Sequence, residues 1–144
     1  MTRSGIDAER ELVNKMWEVG FAVMRAPASG AASKTPRPDL LAGKADIGKI
    51  YAIELKISKS TKIYIEPHEI EGLVLFAQRF GAEAIVGVKF KGKRTGFLFL
   101  HPEELRQTKS GRYVIDLEVA RARGNDLAAL ASGKIQQRLD QIEE

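Results

Sequence analysis

The stretch Ile50-Tyr-Ala-Ile-Glu-Leu-Lys-Ile57 constrains this chain more than any other. Its apolar, β-branched run predicts a buried strand, yet Glu54 and Lys56 stand in the middle of it. Side chains alternate along a strand, so residues two apart share a face. Glu54 and Lys56 therefore point the same way, opposite to Ile53 and Leu55. Asp39 opens another apolar stretch, Asp39-Leu-Leu-Ala42, and supplies a second carboxylate that a sheet can bring alongside. Two acids and a lysine can bind a hard divalent cation and hold a water against a phosphodiester. The same residues also suit a solvated strand face with a cross-strand ion pair, so the flanking sequence has to decide.

At 144 residues the chain is expected to form one domain with a single core, and 44% hydrophobic with 29% charged residues suits a globular fold. Residues 1–133 are assigned to that domain and residues 134–144 to a polar tail. No stretch reaches membrane-spanning length, and no charged-then-apolar leader is expected. Cysteine is absent, which excludes disulfides and thiolate metal sites and fits a cytoplasmic protein. His68 and His101 are the only histidines, so a bound metal would have oxygen ligands and the character of Mg²⁺ or Mn²⁺. Net charge is +4 with a pI near 9.4. Lys34, Arg37, Lys56, Lys59 and Lys62 flank the acids, and Lys89, Lys91, Lys93 and Arg94 form a second basic stretch. Acids grouped for a metal inside a basic surround suit a nucleic-acid backbone as substrate.

Upstream, Ser4-Gly-Ile-Asp7 has the form of a capping box, predicting a helix to about Val19 closed by Gly20. At about 100° per residue, Ile6, Leu12, Val13, Met16 and Trp17 form its apolar stripe. Glu9 falls inside that stripe, where a carboxylate is costly unless paired or metal-bound; a frayed first turn would instead leave it in water. Arg10 lies at the stripe's edge. Residues 21–26 read as a strand ending near Arg25, followed by a long Pro-rich, small-residue loop to Pro38. Within it Ser29-Gly30 offers a hydroxyl and backbone amides suited to a phosphate.

Downstream, Glu66-Pro67 predicts a second helix stopped by Gly81, with Ile70, Leu73, Val74, Ala77 and Phe80 as its core stripe. Leu75 and Phe76 project beyond the stripe, which suggests a two-fold dimer contact or burial by neighbouring strands. Residues 84–90 and 95–100 predict a hairpin across the basic turn at Lys91–Arg94. His101 reads as a cap or packing residue, Arg112-Tyr-Val-Ile115 as an edge strand, and Asn125-Asp126 as the cap of a short helix through Ala131. Gln136, Leu139 and Ile142 have the spacing of a sliding-clamp-binding peptide but lack its paired aromatics. A clamp contact through the tail stays a candidate beside a frayed amphipathic end.

The Pro38-Asp39 … Glu54-x-Lys56 pattern resembles the PD-(D/E)-x-K nuclease superfamily. That implies an α/β, restriction-endonuclease-like fold: a mixed central β-sheet flanked by helices. The match sharpens over Glu9-Arg10, Val23-Met-Arg-Ala-Pro-Ala-Ser-Gly30, Pro38-Asp39-Leu-Leu and Ile53-Glu-Leu-Lys56, which together resemble the archaeal Holliday junction resolvases across roughly the first hundred positions. The tail departs from that pattern. The resemblance implies a homodimeric, Mg²⁺-dependent endonuclease of the nucleoid that cuts opposed strands of a four-way DNA junction. Glu9, Asp39 and Glu54 would be the metal-site acids, and Lys56 the lysine beside the scissile phosphate, orienting water or neutralising the transition state. Ser29 would belong to the catalytic loop that approaches the substrate. Arg10 and Arg25 would engage DNA, within the basic surround of Lys34, Arg37, Lys59 and Lys62. A nuclease of the same superfamily with another substrate, and a non-cleaving module for structured DNA, are the competing readings.

Overall fold

Leu12 and Met16 recur one turn apart and, with Ala8 and Glu9, form the buried side of the first helix, α1 (Arg3–Glu18). A computed structural model of the protein describes residues 3–27 and 35–133. Ser29, Lys34 and the tail from residue 134, with the clamp-like spacing, therefore lie outside the described residues. Ser4 is already helical, so the helix starts ahead of the predicted cap. The chain leaves α1 through Gly20 at φ 103°, a left-handed value that a side chain would strain. Phe21 then folds back, donating its N–H to the Met16 carbonyl at 3.0 Å, and becomes fully buried. Phe21 joins the core, whereas Trp17, predicted for the apolar stripe, is 70% exposed.

Five strands make the central sheet in the order β1 (Ala22–Arg25), β2 (Leu40–Lys44), β3 (Lys49–Ser58), β5 (Glu83–Phe90), β6 (Phe97–Leu100). β3 and β5 run parallel and the other pairs antiparallel, giving the expected mixed sheet. The parallel pair needs a crossover, and α2 (Pro67–Phe80) provides it. Alternation along β3 divides the core. Tyr51, Ile53 and Leu55 pack on the α1 side with Leu12, Met16, Phe21 and Phe99. Ala52 faces the other way, among Ile70, Leu73 and Ala77 of α2 and Val86 and Val88 of β5.

A second sheet had no counterpart in the sequence reading. β4 (Lys62–Ile65), β8 (Tyr113–Asp116) and β7 (Arg106–Gln107) form it, with β8 in the middle. The segment expected as an edge strand is thus central, because two short strands far apart in sequence pair on its two sides. Ile63, Ile65, Val114 and Ile115 are buried there. The chain continues through α3 (Leu117–Arg123) to α4 (Leu127–Ser132), where Asp126 accepts the Ala129 N–H as expected of its cap. Phe80, predicted for the core, is 52% exposed and stacks on Phe76 at 5.5 Å. Among the described residues no helix is long and apolar enough to cross a membrane.

Leu12→Ala should destabilise the fold by about 2–5 kcal/mol, since it opens a cavity between α1 and the sheet. Trp17→Ala should stay within about 0.5 kcal/mol. Urea unfolding of both variants checks the contrast.

Candidate active site

β2 and β3 are paired from Lys44↔Lys49 to Leu40↔Ile53, and there the ladder stops. Beyond Ile53, β3 keeps β5 on one side and has no β2 residue on the other. The exposed edge is closed by a side chain. Asp39 accepts the Leu55 N–H on Oδ2 at 2.8 Å, in place of the backbone acceptor a longer β2 would have offered. The Asp39 carbonyl accepts the Ala26 N–H at 2.9 Å, so the exit of β1 is tied to the same residue. Asp39 is held at the mouth of a fork between strands.

Glu54 follows Ile53 on the α2 face, with its side chain only 14% exposed. Glu9 reaches the fork from α1 and is 4% exposed, as the stripe required. Its Oε1 accepts from Arg25 Nε at 3.0 Å, at the last residue of β1. Lys56 Nζ lies 3.9 Å from Glu54 and 2.7 Å from Glu69, so most of its charge goes to Glu69.

That distribution explains the protonation balance. Burial raises the Glu54 pKa to about 8, the Asp39 carboxylate adds to the rise, and Lys56 offsets only part of it. Asp39 is also raised, by burial first, against the lowering pull of the Leu55 N–H. Glu69 is lowered because Lys56 binds it, and this outweighs its burial. Two adjacent carboxylates are thus short of positive charge, a deficit that a hard divalent cation relieves with oxygen ligands. Among the described residues no three acidic or histidine side chains already converge as a metal cluster. Glu9 is turned to Arg25 and Glu69 to Lys56. The donors fit Mg²⁺ in chemistry, with Asp39 and Glu54 as the pair nearest to readiness.

Of the residues singled out in the sequence, Glu9, Arg25, Asp39, Glu54 and Lys56 meet at the fork. Arg37 joins them at the wall of a cavity of about 300 Å³ that also includes Glu54, His68 and Glu69. Gly72 shapes this wall, because a Cβ there would come within 3.0 Å of Pro36. Arg10 is exposed beside Glu9. Lys59 and Lys62 lie beyond the fork, Lys59 on the exposed turn after β3 and Lys62 on β4, 4.0 Å from Asp116. Glu69 was missed. Its one sequence signal is its place three residues after Glu66 in a capping box.

An α/β chain whose sheet opens into a fork of acids with an adjacent lysine falls in the class of PD-(D/E)-x-K-type proteins. Comparison narrows the class. The model of the archaeal Holliday junction resolvase (Hjc) family matches residues 1–139, and the chain belongs to that family. It is 41% identical over 140 residues to the crossover junction endodeoxyribonuclease Hjc of Sulfolobus acidocaldarius, covering 94% of each chain. The Archaeoglobus fulgidus protein of the same name is 36% identical over 139 residues, covering 96% of each. The solved structure of A. fulgidus Hjc, described as a Holliday junction resolvase from an archaeal hyperthermophile, superposes with a TM-score of 0.79 at 35% identity. The match covers 88% of this chain and 98% of that one.

The raised Glu54 pKa fixes a sign. The folded carboxyl holds its proton more tightly than the unfolded one, so in the metal-free protein this group's contribution to stability falls as pH rises from about 4.5 to about 8. Glu54→Gln should therefore stabilise the protein in EDTA at pH 8, on the order of 1–3 kcal/mol. The gain should fade toward pH 4.5, which thermal melts across that range would show.

Proposed function

We propose that the chain is a Mg²⁺-dependent, structure-specific endonuclease that resolves four-way DNA junctions by nicking opposed strands. The carrying observation is the buried Asp39–Glu54 pair at the sheet fork, with Glu9 and Lys56 beside it, in a chain of the Hjc family. Asp39, Glu54 and Glu9 would hold Mg²⁺, or Mn²⁺ in its place. Once bound, the ion supplies a water of lowered pKa and positive charge for the phosphate. Asp39 contributes a carboxylate whose position the Leu55 N–H fixes. Lys56 brings a positive point charge to the same edge, where phosphate charge develops. Arg25 and Arg37 line the approach, and Arg10 extends the basic surface. Ser29, which precedes Arg37 in the sequence, would meet the substrate beside it. Such a protein would work in the cytoplasm on nucleoid DNA, with the tail as the candidate clamp contact.

Cutting opposed strands needs two sites at a set separation, and a homodimer supplies them. The face that supports this reading is α2. Leu75 and Phe80 are 43% and 52% exposed, and with Phe76 and Arg79 they line an open apolar cavity of about 440 Å³. Sedimentation at micromolar concentration should give twice the 15.9 kDa chain mass, and Phe80→Glu should return the monomer.

A labelled immobile junction tested beside matched linear duplex decides the activity. Paired nicks in opposed strands are expected with Mg²⁺, none in EDTA, and none on the duplex. Equal cutting of both substrates would leave a nuclease without junction selectivity, and tight binding without cutting would leave a binding module. Asp39→Asn should slow cleavage by at least about 100-fold. Its junction affinity should hold within a few-fold, because phosphate contacts elsewhere carry binding. Loss of binding together with cleavage would count against the assignment.

A further inference from the structure

Lys56 ends in an ammonium on a flexible four-carbon stem, and such a group marks a fixed point only if something holds it. Glu54, the nearer residue in sequence, is 3.9 Å away, beyond hydrogen-bonding distance. Glu69 makes the close contact, accepting from Lys56 Nζ on Oε1 at 2.7 Å. The other oxygen of the same carboxylate is occupied as well. Oε2 accepts the Glu66 N–H at 3.1 Å, closing the capping box that starts α2. Both ends of the carboxylate are therefore spoken for, one by the helix terminus and one by the lysine. Glu54 and Glu69 line the same cavity, and the ammonium is held by Glu69 with Glu54 next to it.

We propose that Glu69 is a positioning residue: it fixes the Lys56 ammonium beside Glu54 by tying it to the N-terminus of α2. The proposal rests on the reading of Lys56 as the lysine of the cleavage reaction. Glu69 itself touches no reacting atom. A glutamine fits the same space but has one acceptor oxygen for two donors, so it serves either the cap or the lysine. Without the tie the ammonium samples several rotamers, and misplacement of a charged group by about 1 Å slows chemistry about 100-fold.

Four variants separate the outcomes, each measured for single-turnover cleavage of a pre-bound junction in Mg²⁺, for junction Kd and for melting temperature. Glu69→Gln and Glu69→Ala should cut about 10- to 100-fold more slowly with Kd within twofold of the parent. Glu66→Ala, which damages the same cap but leaves the Lys56 contact, should lower the melting temperature about as much as Glu69→Ala and still cut at the parent rate. Parent-rate or faster cutting by both Glu69 variants, while Lys56→Met is inactive, would overturn the proposal. An equal slowing of Glu66→Ala would reduce Glu69 to a helix cap, and a Kd that weakens in step with the rate would make it a DNA contact; either also overturns it. If Lys56→Met itself cuts at the parent rate, the fault lies in the reading of Lys56, and the proposal falls with that premise.

Discussion

The hydrogen bond from the Leu55 N–H to Asp39 Oδ2 is the constraint on which the candidate site depends. A strand edge inside a fold must find acceptors for its N–H groups. Here one is met by a carboxylate because β2 begins only at Leu40, one residue after Asp39. The bond does two things at once. It lets the sheet split without an orphaned amide, and it holds an acid at the split by one of its two oxygens. A longer β2 would satisfy the same amide and remove the site.

Splitting the sheet also solves a problem of access. Glu9 comes with the core layer on the α1 side, while Glu54 stands on the α2 side of β3. Groups on opposite faces of a sheet are separated by the sheet itself, because successive side chains point to opposite sides of the backbone layer. At an edge that separation vanishes. Glu9 and Glu54 influence each other electrostatically there, with Asp39 in the plane between the two layers. The chemistry is thus placed where the architecture is interrupted.

The charges are arranged in pairs that leave one deficit. Arg25 answers Glu9, and Glu69 answers Lys56, at 3.0 and 2.7 Å. Among the described residues Asp39 and Glu54 have no cation at that range, and burial raises both, with Lys56 offsetting only part of the rise. A site fully neutralised by its own side chains would have no use for an ion. A site with more uncompensated acids would cost the fold more than one domain can spare.

The sequence by itself determined the strand, the face shared by Glu54 and Lys56, the acid at the start of the next apolar stretch and the inward glutamate of the first helix. All follow from periodicity, which is a local property of the chain. The capped helix from Pro67, the hairpin and the Asp126 cap were legible for the same reason. Tertiary structure decided the rest. Trp17 and Phe80 sit outside the core, and which flank of a helix meets a neighbour is a matter of tertiary packing that no helical wheel contains. The second sheet brings β4 from some fifty residues upstream against β8, with the two-residue β7 on its other side, and the central strand looked like an edge for want of that remote partner. Glu69 carried only a cap's signal, since its meeting with Lys56 depends on how the crossover lays α2 against β3. Local pattern says which residues turn inward; only the closed fold says what they meet there.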